Sequence, residues 1–425
     1  MFVNTFWSLV PPIVAIGLAL LTKETYSSLF IGIVVGALLA TDFSPIGALD
    51  TIINDGLTAA IADNAGIFLF LVILGVMVAL VNATGGSAAF GRWAASHIHS
   101  KAGALLATFA LGVLIFIDDY FNCLTVGSVM TPVTDSQKIS RVKLAYLIDA
   151  TAAPICMIAP ISSWAAAVSG VAAKLDTGVS GIQLFIEAIP YNFYSLLTIV
   201  FVITMVVLGV DYGPMAAAEL KAAQTGDLGA LSEEQEEGSS RANMWDMLIP
   251  IFLLIIFCVI GLIYVGGFWD PETNAGDFIA AFGDTDAFVG LPWGALIALV
   301  LSIIYLCARR VITFKGAMGC MTKGFNAMVP AILILTFAVS LKSMTGLLGA
   351  ADYVEGLMKQ ASEGLFMLLP AIIFVVACLL AFATGTSWGT FGILIPIVLP
   401  IFNAAPDLQI MGISACLAGA VCGDH

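Results

Sequence analysis

Long apolar runs separated by short polar stretches dominate this chain, and their spacing is that of helices crossing a membrane. Runs fall at about 7–22, 26–41, 66–82, 143–172, 193–210, 247–266, 290–307, 326–342 and from 410 to the end, each near the ~20 residues that a spanning helix needs. Two further runs, 102–134 and 365–402, are longer, contain Pro and are interrupted near their middle by polar or Gly-rich sequence. They predict helical hairpins that enter and leave on one side, because non-helical backbone is tolerated at membrane depth only where protein or a water-filled cavity satisfies its N–H and C=O groups. The run 143–172 is also predicted to break, since Pro154 and Pro160 cannot both sit inside one uninterrupted helix.

Lys and Arg near the span ends orient these segments. Arg92 and Lys101, then Lys138, Arg141 and Lys143, then Arg309, Arg310, Lys315 and Lys323 mark three cytoplasmic loops. The loops at 42–65 and 267–289 hold no Lys or Arg, and the second carries Asp270, Glu272, Asp277, Asp284 and Asp286, so both belong outside. With 101 and 135–143 on one side, the segment between them is a re-entrant hairpin whose tip lies near Asp118 to Asn122.

Residues 1–210 then give three spans, an inward-opening hairpin and two more spans, an odd number of crossings that starts the second half from the opposite side. Residues 247–425 repeat the order around the hairpin at 365–402. The expected architecture is an all-α polytopic membrane protein built as an inverted repeat, with two re-entrant hairpins and broken spans, as in many secondary transporters. Identity between the halves is slight: Thr125-x-Gly127 answers Thr390-x-Gly392, with Pro132 and Pro396 following. The stretch between, 211–246, contains Ser232-Glu-Glu-Gln-Glu-Glu-Gly-Ser-Ser240, which has little apolar surface to bury and reads as a mobile, acidic cytoplasmic linker.

Composition agrees with the membrane reading: 60% of residues are hydrophobic and 10% charged, with a mean hydropathy of +1.05. The N-terminus carries no Lys or Arg before Ser8 and no small-residue cleavage pattern after Leu21, so it reads as a retained span and not as a secretion signal. A formal charge of −14 argues against nucleic acid as a partner. The 8 cysteines contain no C-x-x-C pair and read as reduced packing residues.

The candidate chemistry sits at the breaks. In Phe116-Ile-Asp-Asp-Tyr-Phe-Asn-Cys-Leu-Thr-Val-Gly127, Asp118 and Asp119 interrupt apolar sequence. A charge at that depth costs at least about 2.5–3.5 kcal/mol, so these groups should face a cavity, an ion or a partner. Asn122 and Thr125 follow on the same segment, and a structural cap on the hairpin's second helix is the competing reading of the two carboxylates. The second break is Asp149-Ala-Thr-Ala-Ala-Pro154 with Pro160-Ile-Ser-Ser-Trp164, the third Thr384-Gly-Thr-Ser-Trp-Gly-Thr390, the fourth Gly423-Asp424-His425. Ser162, Ser163, Thr386 and Ser387 could ligate a cation or simply back-bond to helix carbonyls. Asp149 lies six residues beyond Lys143, so a shallow ion pair competes with a site role. Such hydroxyl, amide and carboxylate oxygens are the hard ligands that sodium prefers, and the carboxylates can also carry protons. Trp7, Trp93, Trp245, Trp269 and Trp293 read as interface anchors, while Trp164 and Trp388 lie at breaks, where they wall a cavity or pack. His97 and His99 read as loop residues with pH sensing as the alternative.

The run from Phe116-Ile-Asp-Asp-Tyr-Phe-Asn-Cys-Leu-Thr-Val-Gly-Ser through Lys143-Leu-Ala-Tyr-Leu-Ile-Asp-Ala-Thr-Ala-Ala-Pro to Ile158-Ala-Pro-Ile-Ser-Ser-Trp164 resembles the NhaC family of sodium/proton antiporters, within the wider ion-transporter superfamily. The likeness runs over nearly the whole chain. It implies sodium or proton coupling, inverted repeats and a place in the cell inner (plasma) membrane, with Asp118, Asp119, Asn122, Asp149, Ser162 and Ser163 at matching positions. Asp118, Asp119 and Asn122 are then the expected sodium ligands. Some members exchange organic acids such as malate and lactate or carry amino acids, and homodimers are common in the superfamily. In the family, sequence resembling Cys422-Gly-Asp-His425 continues into a Ser-Pro-Ile-Ser-Asp-Thr-like stretch, so the chain is expected to be truncated inside its second broken span.

The leading expectation is sodium/proton exchange by competition for the Asp118/Asp119 region, with no cofactor. The alternative is a sodium- or proton-coupled exchanger of an organic acid or amino acid. A channel would want a continuous polar stripe through several spans, whereas the polar residues cluster at breaks. An enzyme would want facing Ser/His or paired-Asp groups, or a metal motif such as H-E-x-x-H.

Overall fold

The computed structural model describes residues 2–22, 24–98, 100–116, 118–160, 162–165, 168, 181–229, 241–350, 352–353, 356, 363–384, 387–402 and 406–425. Every regular element among them is helical. Contacts gather the chain into two compact units, each drawn from both halves of the sequence. One comprises residues 1–68, 167–194 and 329–425, the other 69–166 and 195–328.

The elements follow the apolar runs and start at side-chain caps. After α1 (Val10–Thr22), Glu24 caps α2 (Thr25–Ala40) by accepting from the Tyr26 and Ser27 N–H groups. The stretch read as an outer loop, 42–65, is itself helical, as α3 (Pro45–Thr51), a π-helical stretch (Ile52–Thr58) and α4 (Ala59–Asp63). The alternation that marks a long span is absent there, and Ser44 supplies the start by accepting from the Gly47 N–H. There follow α5 (Ala65–Thr84), α6 (Gly86–His97), α7 (Lys101–Leu114), α8 (Asp119–Ser136) and α9 (Arg141–Cys156). Ser100 caps α7 through the Gly103 N–H, and Ser140 caps α9 through the Lys143 N–H. Beyond them lie α10 (Gly181–Ala188), α11 (Phe193–Leu208), α12 (Gly213–Thr225), α13 (Trp245–Val265), α14 (Phe278–Gly283), α15 (Ala287–Ala308), α16 (Phe314–Leu347), α17 (Glu363–Thr384), α18 (Ser387–Ile401) and α19 (Pro406–Asp424).

By length and composition, α5, the run Phe193–Thr225 that contains α11, α13, α15 and α16 are each apolar and long enough to cross a bilayer. Shorter apolar helices lie at Phe6–Ala19, Tyr26–Ala40, Lys101–Leu114, Met367–Phe382 and Leu408–Asp424. This is a helical membrane protein. Trp7, Trp93, Trp245, Trp269 and Trp293 are all exposed, as interfacial anchors must be, whereas Trp164 is fully buried.

In the unit containing residues 69–166, α7 and α8 fold back on one another, and α9 packs against both. The tight pair beside them is α13 with α15. A Cβ on Gly294 would stand 2.1 Å from the Phe257 carbonyl oxygen, so only glycine lets the two backbones come this close. The other unit repeats the device. Its α17 and α19 touch through Gly423, where a Cβ would lie 2.0 Å from the Cys378 carbonyl oxygen, and α18 packs on both. Between helices surrounded by lipid there is no hydrophobic gain on association, and close approach through small residues supplies the packing instead. A core of Ala15, Leu29, Ile33, Ala37, Leu341 and Met344 joins α1, α2 and the C-terminal part of α16 in this unit.

Part of the stretch read as a mobile linker is organised. Glu219 of α12 is buried, accepts from the Ser140 N–H at 2.6 Å and pairs with Lys101 at 3.5 Å. Asp211 pairs with the buried Lys143 at 2.6 Å. The acidic run 232–240 lies outside the described residues.

Candidate functional site

The first hairpin breaks where its two carboxylates stand. α7 ends at Leu114 and α8 begins at Asp119. The Asp118 carbonyl accepts from the Asn122 N–H at 3.0 Å, so Asp118 opens α8 and the capping position and the candidate site coincide. The last carbonyls of a helix have no intrahelical partner. Here Asn122 supplies one, its Nδ2 donating to the Gly112 oxygen at 2.7 Å and the Ile115 oxygen at 2.9 Å. Among the described residues, the fully buried side-chain oxygen of Asn122 has no hydrogen-bond partner, nor does the buried Thr125 hydroxyl.

The break in the following span delivers a second group. α9 carries Pro154 in its last turn and ends at Cys156, and helix resumes at Ser163 beyond Pro160. Ser162 donates to the Cys156 carbonyl at 2.7 Å and accepts from the Ala165 N–H at 3.3 Å, stitching the break together. Ser163 donates to Asp118 Oδ2 at 3.1 Å. Asp118 and Asp119 are 2% and 8% exposed, and Asn122, Ser162 and Ser163 are fully buried. Asp118, Asp119, Asn122 and Ser163 thus come together around one break, with Ser162 behind them as a brace.

Of the other sequence candidates, Ser387 and Asp424 meet each other, the serine donating to Asp424 Oδ2 at 2.9 Å. Ser387 is the first residue of α18 and Asp424 the last of α19. His425 Nδ1 lies 3.0 Å from the Tyr194 hydroxyl. Asp149 stands on the exposed face of α9 and makes no hydrogen bond or ion pair among the described residues, because Lys143 is engaged by Asp211. Thr386, and His99 of the loop pair, lie outside the described residues.

Sequence reading passed over three neighbours. Cys156 is fully buried within electrostatic range of Asp118 and Asp119, and Cys258 of α13 is within range of Asp118. Thr151 is buried where α7 and α9 touch, its hydroxyl 2.6 Å from a Cβ placed on Gly112. Only Thr151 had a signal, its place in the Asp149-to-Pro154 run. Among the described residues no group of three or more His, Cys, Asp or Glu is placed to hold a metal.

Comparison with known proteins bears on this geometry. An uncharacterized protein of Haemophilus influenzae is 34% identical over 440 residues, which cover all of this chain and 83% of that one. The structure of Neisseria gonorrhoeae MtrF, described as illuminating a class of antimetabolite efflux pumps, is a distant match, with 12% identity, a TM-score of 0.42, and coverage of 91% of this chain and 74% of the other. The sequence profile of the Na+/H+ antiporter family matches residues 155–425, taking in Ser162, Ser163, Ser387 and Asp424. On that match, extending over well more than half its length, the chain belongs to the Na+/H+ antiporter family.

Proposed function

We propose that this protein is a sodium/proton antiporter of the NhaC type in the cell inner membrane, with Asp118 and Asp119 as the groups for which the two ions compete. The observation that carries the reading is the burial of both carboxylates at a helix break, beside the unpartnered Asn122 side-chain oxygen. Two adjacent carboxylates out of water cannot both stay ionised without a cation. They take either a proton or a sodium ion, and each occupant releases the other. Asn122 Oδ1 and the Ser163 oxygen are the neutral ligands on hand, and the break lets the hairpin backbone follow the ion. The acid–serine pairs of the two halves, Asp118 with Ser163 and Asp424 with Ser387, support an inverted repeat with hairpins at 102–134 and 365–402.

Competition gives a sign. Acidification fills the carboxylates with protons, so the sodium concentration needed for half-maximal exchange rises as pH falls. The test is proton efflux from acid-loaded proteoliposomes on adding sodium. Sodium alone should accelerate efflux, and Asp118→Asn and Asp119→Asn should abolish it while the protein remains folded in the bilayer. Undiminished exchange in both variants would remove the site. Silence with sodium alone, together with a response to an added organic acid or amino acid, would replace exchange of the two ions by coupled metabolite transport.

A further inference from the structure

The chain beyond α11 is strapped across the Lys101 end of the first hairpin, within one unit. Asp211 pairs with Lys143 of α9 at 2.6 Å, their side chains only 15% and 5% exposed. α12 then packs on α9 and buries Glu219 and Ala222. The first N–H groups of a helix have no intrahelical acceptor, and at α9 this strap supplies two. The Leu228 carbonyl accepts from the Arg141 N–H at 2.8 Å, and Glu219 Oε1 accepts from the Ser140 N–H at 2.6 Å.

Glu219 serves two elements at once. Its second oxygen, Oε2, lies 3.5 Å from Nζ of Lys101, the first residue of α7. The two attachments differ in strength. Lys101 is 47% exposed, and a long, half-exposed ion pair is worth little and is weakened further by salt. The short Lys143–Asp211 pair and the backbone bonds are shielded from salt by burial. The strap therefore stays on α9 and lets go of α7 first. α8 and α9 are joined by the short turn 137–140, so at this end of the hairpin α7 is the free arm. That arm leads to Asp118, while α9 leads to the break that presents Ser163. Holding Lys101 holds the two together.

We propose that residues 211–228 are a clasp that brakes transport, with Lys101–Glu219 as a catch that rising ionic strength undoes, freeing α7 to move against α9. The inference rests on the reading of Asp118 and Asp119 as the transport site and adds its regulation.

The test uses the full protein in proteoliposomes at constant sodium and osmolality. Choline chloride is raised from about 0.01 M to about 1 M, which shortens the screening length from about 30 Å to about 3 Å, the scale of the catch. Sodium-driven proton flux should rise about threefold, the worth of one exposed ion pair. Glu219→Gln keeps an oxygen for the Ser140 N–H and removes the charge facing Lys101. This variant, and Lys101→Gln, should be about threefold faster than the wild type at low salt and indifferent to added salt. Lys101 itself reports the catch: its labelling by a water-soluble succinimidyl ester, relative to that of Lys138, should quicken with salt in the wild type and be fast at both salt levels in Glu219→Gln. Variants no faster than the wild type at low salt, a salt response that survives Glu219→Gln, or salt-insensitive labelling of Lys101 would each overturn the clasp. Absence of any sodium-driven flux in the wild type would sink the exchange reading separately. The same comparisons on flux driven by an organic acid or amino acid, with the Lys101 labelling, would then decide the clasp.

Discussion

Asn122→Ala removes both donors that hold the hairpin break. The Gly112 and Ile115 carbonyls, bonded at 2.7 and 2.9 Å, would each lose the buried amide donor that satisfies them. Each abandoned buried acceptor costs about 1–3 kcal/mol, so the turn loses roughly 2–6 kcal/mol of local stability. At 1.4 kcal/mol per decade, the population of opened turns rises about 10³-fold at the middle of that range. Hydrogen–deuterium exchange read by mass spectrometry resolves such a change, because the Asn122 N–H is protected by its bond to the Asp118 carbonyl. Peptides covering 112–126 should exchange about 10³-fold faster in the variant, while peptides from α13 and α15 keep their wild-type rates. Asn122→Asp should behave likewise, since it keeps the shape and loses both donors. Unchanged exchange across the break in a folded Asn122→Ala protein would show that the amide does not hold the turn.

Gly294→Ala would push a methyl group against the Phe257 backbone, and forcing α13 and α15 apart by about 1 Å should cost about 1–3 kcal/mol; a melting temperature in detergent equal to that of the wild type would contradict the packing argument. Glu219→Ala should leave the Ser140 N–H and Lys101 without their acceptor and loosen α12 by about 1–3 kcal/mol. Faster protease cleavage between 213 and 240 is the expected result, and an unaltered cleavage rate would mean that α12 is held by other contacts.

The features legible in the sequence were those that break a pattern. Asp118 and Asp119 stand out because apolar sequence surrounds them, and the break between α7 and α8 falls beside them. Pro154 and Pro160 marked the gap after Cys156 for the same reason. What composition could not show is which groups meet across distance: Ser163 reaches Asp118 from 45 residues away, whereas its neighbour Ser162 turns to the Cys156 carbonyl, although the two serines look alike as text. For Asp149 the sequence left a site role and a shallow ion pair with Lys143 open; its face of α9 is exposed and Lys143 is engaged by Asp211. The helix α12 was hidden because Glu219 reads as one more acid in an acidic linker, and only its bond to the Ser140 N–H, 79 residues away, gives it a place.

The length of α16 has a consequence for the lipid around the protein. Its 34 residues reach about 50 Å at 1.5 Å each, against a hydrocarbon layer of about 30 Å. Containing the whole helix would need a tilt above about 50°, beyond the usual range of about 0–40°. Several turns must instead stand clear of the hydrocarbon, and the N-terminal turns, with exposed Lys315 and Lys323, are the ones suited to it. Each lysine near an anionic leaflet contributes about 1 kcal/mol of attraction. The N-terminal end of α16 is thereby a point at which headgroup charge acts on the protein, and diluting anionic lipid would weaken that hold while the packed part of the helix stays in place.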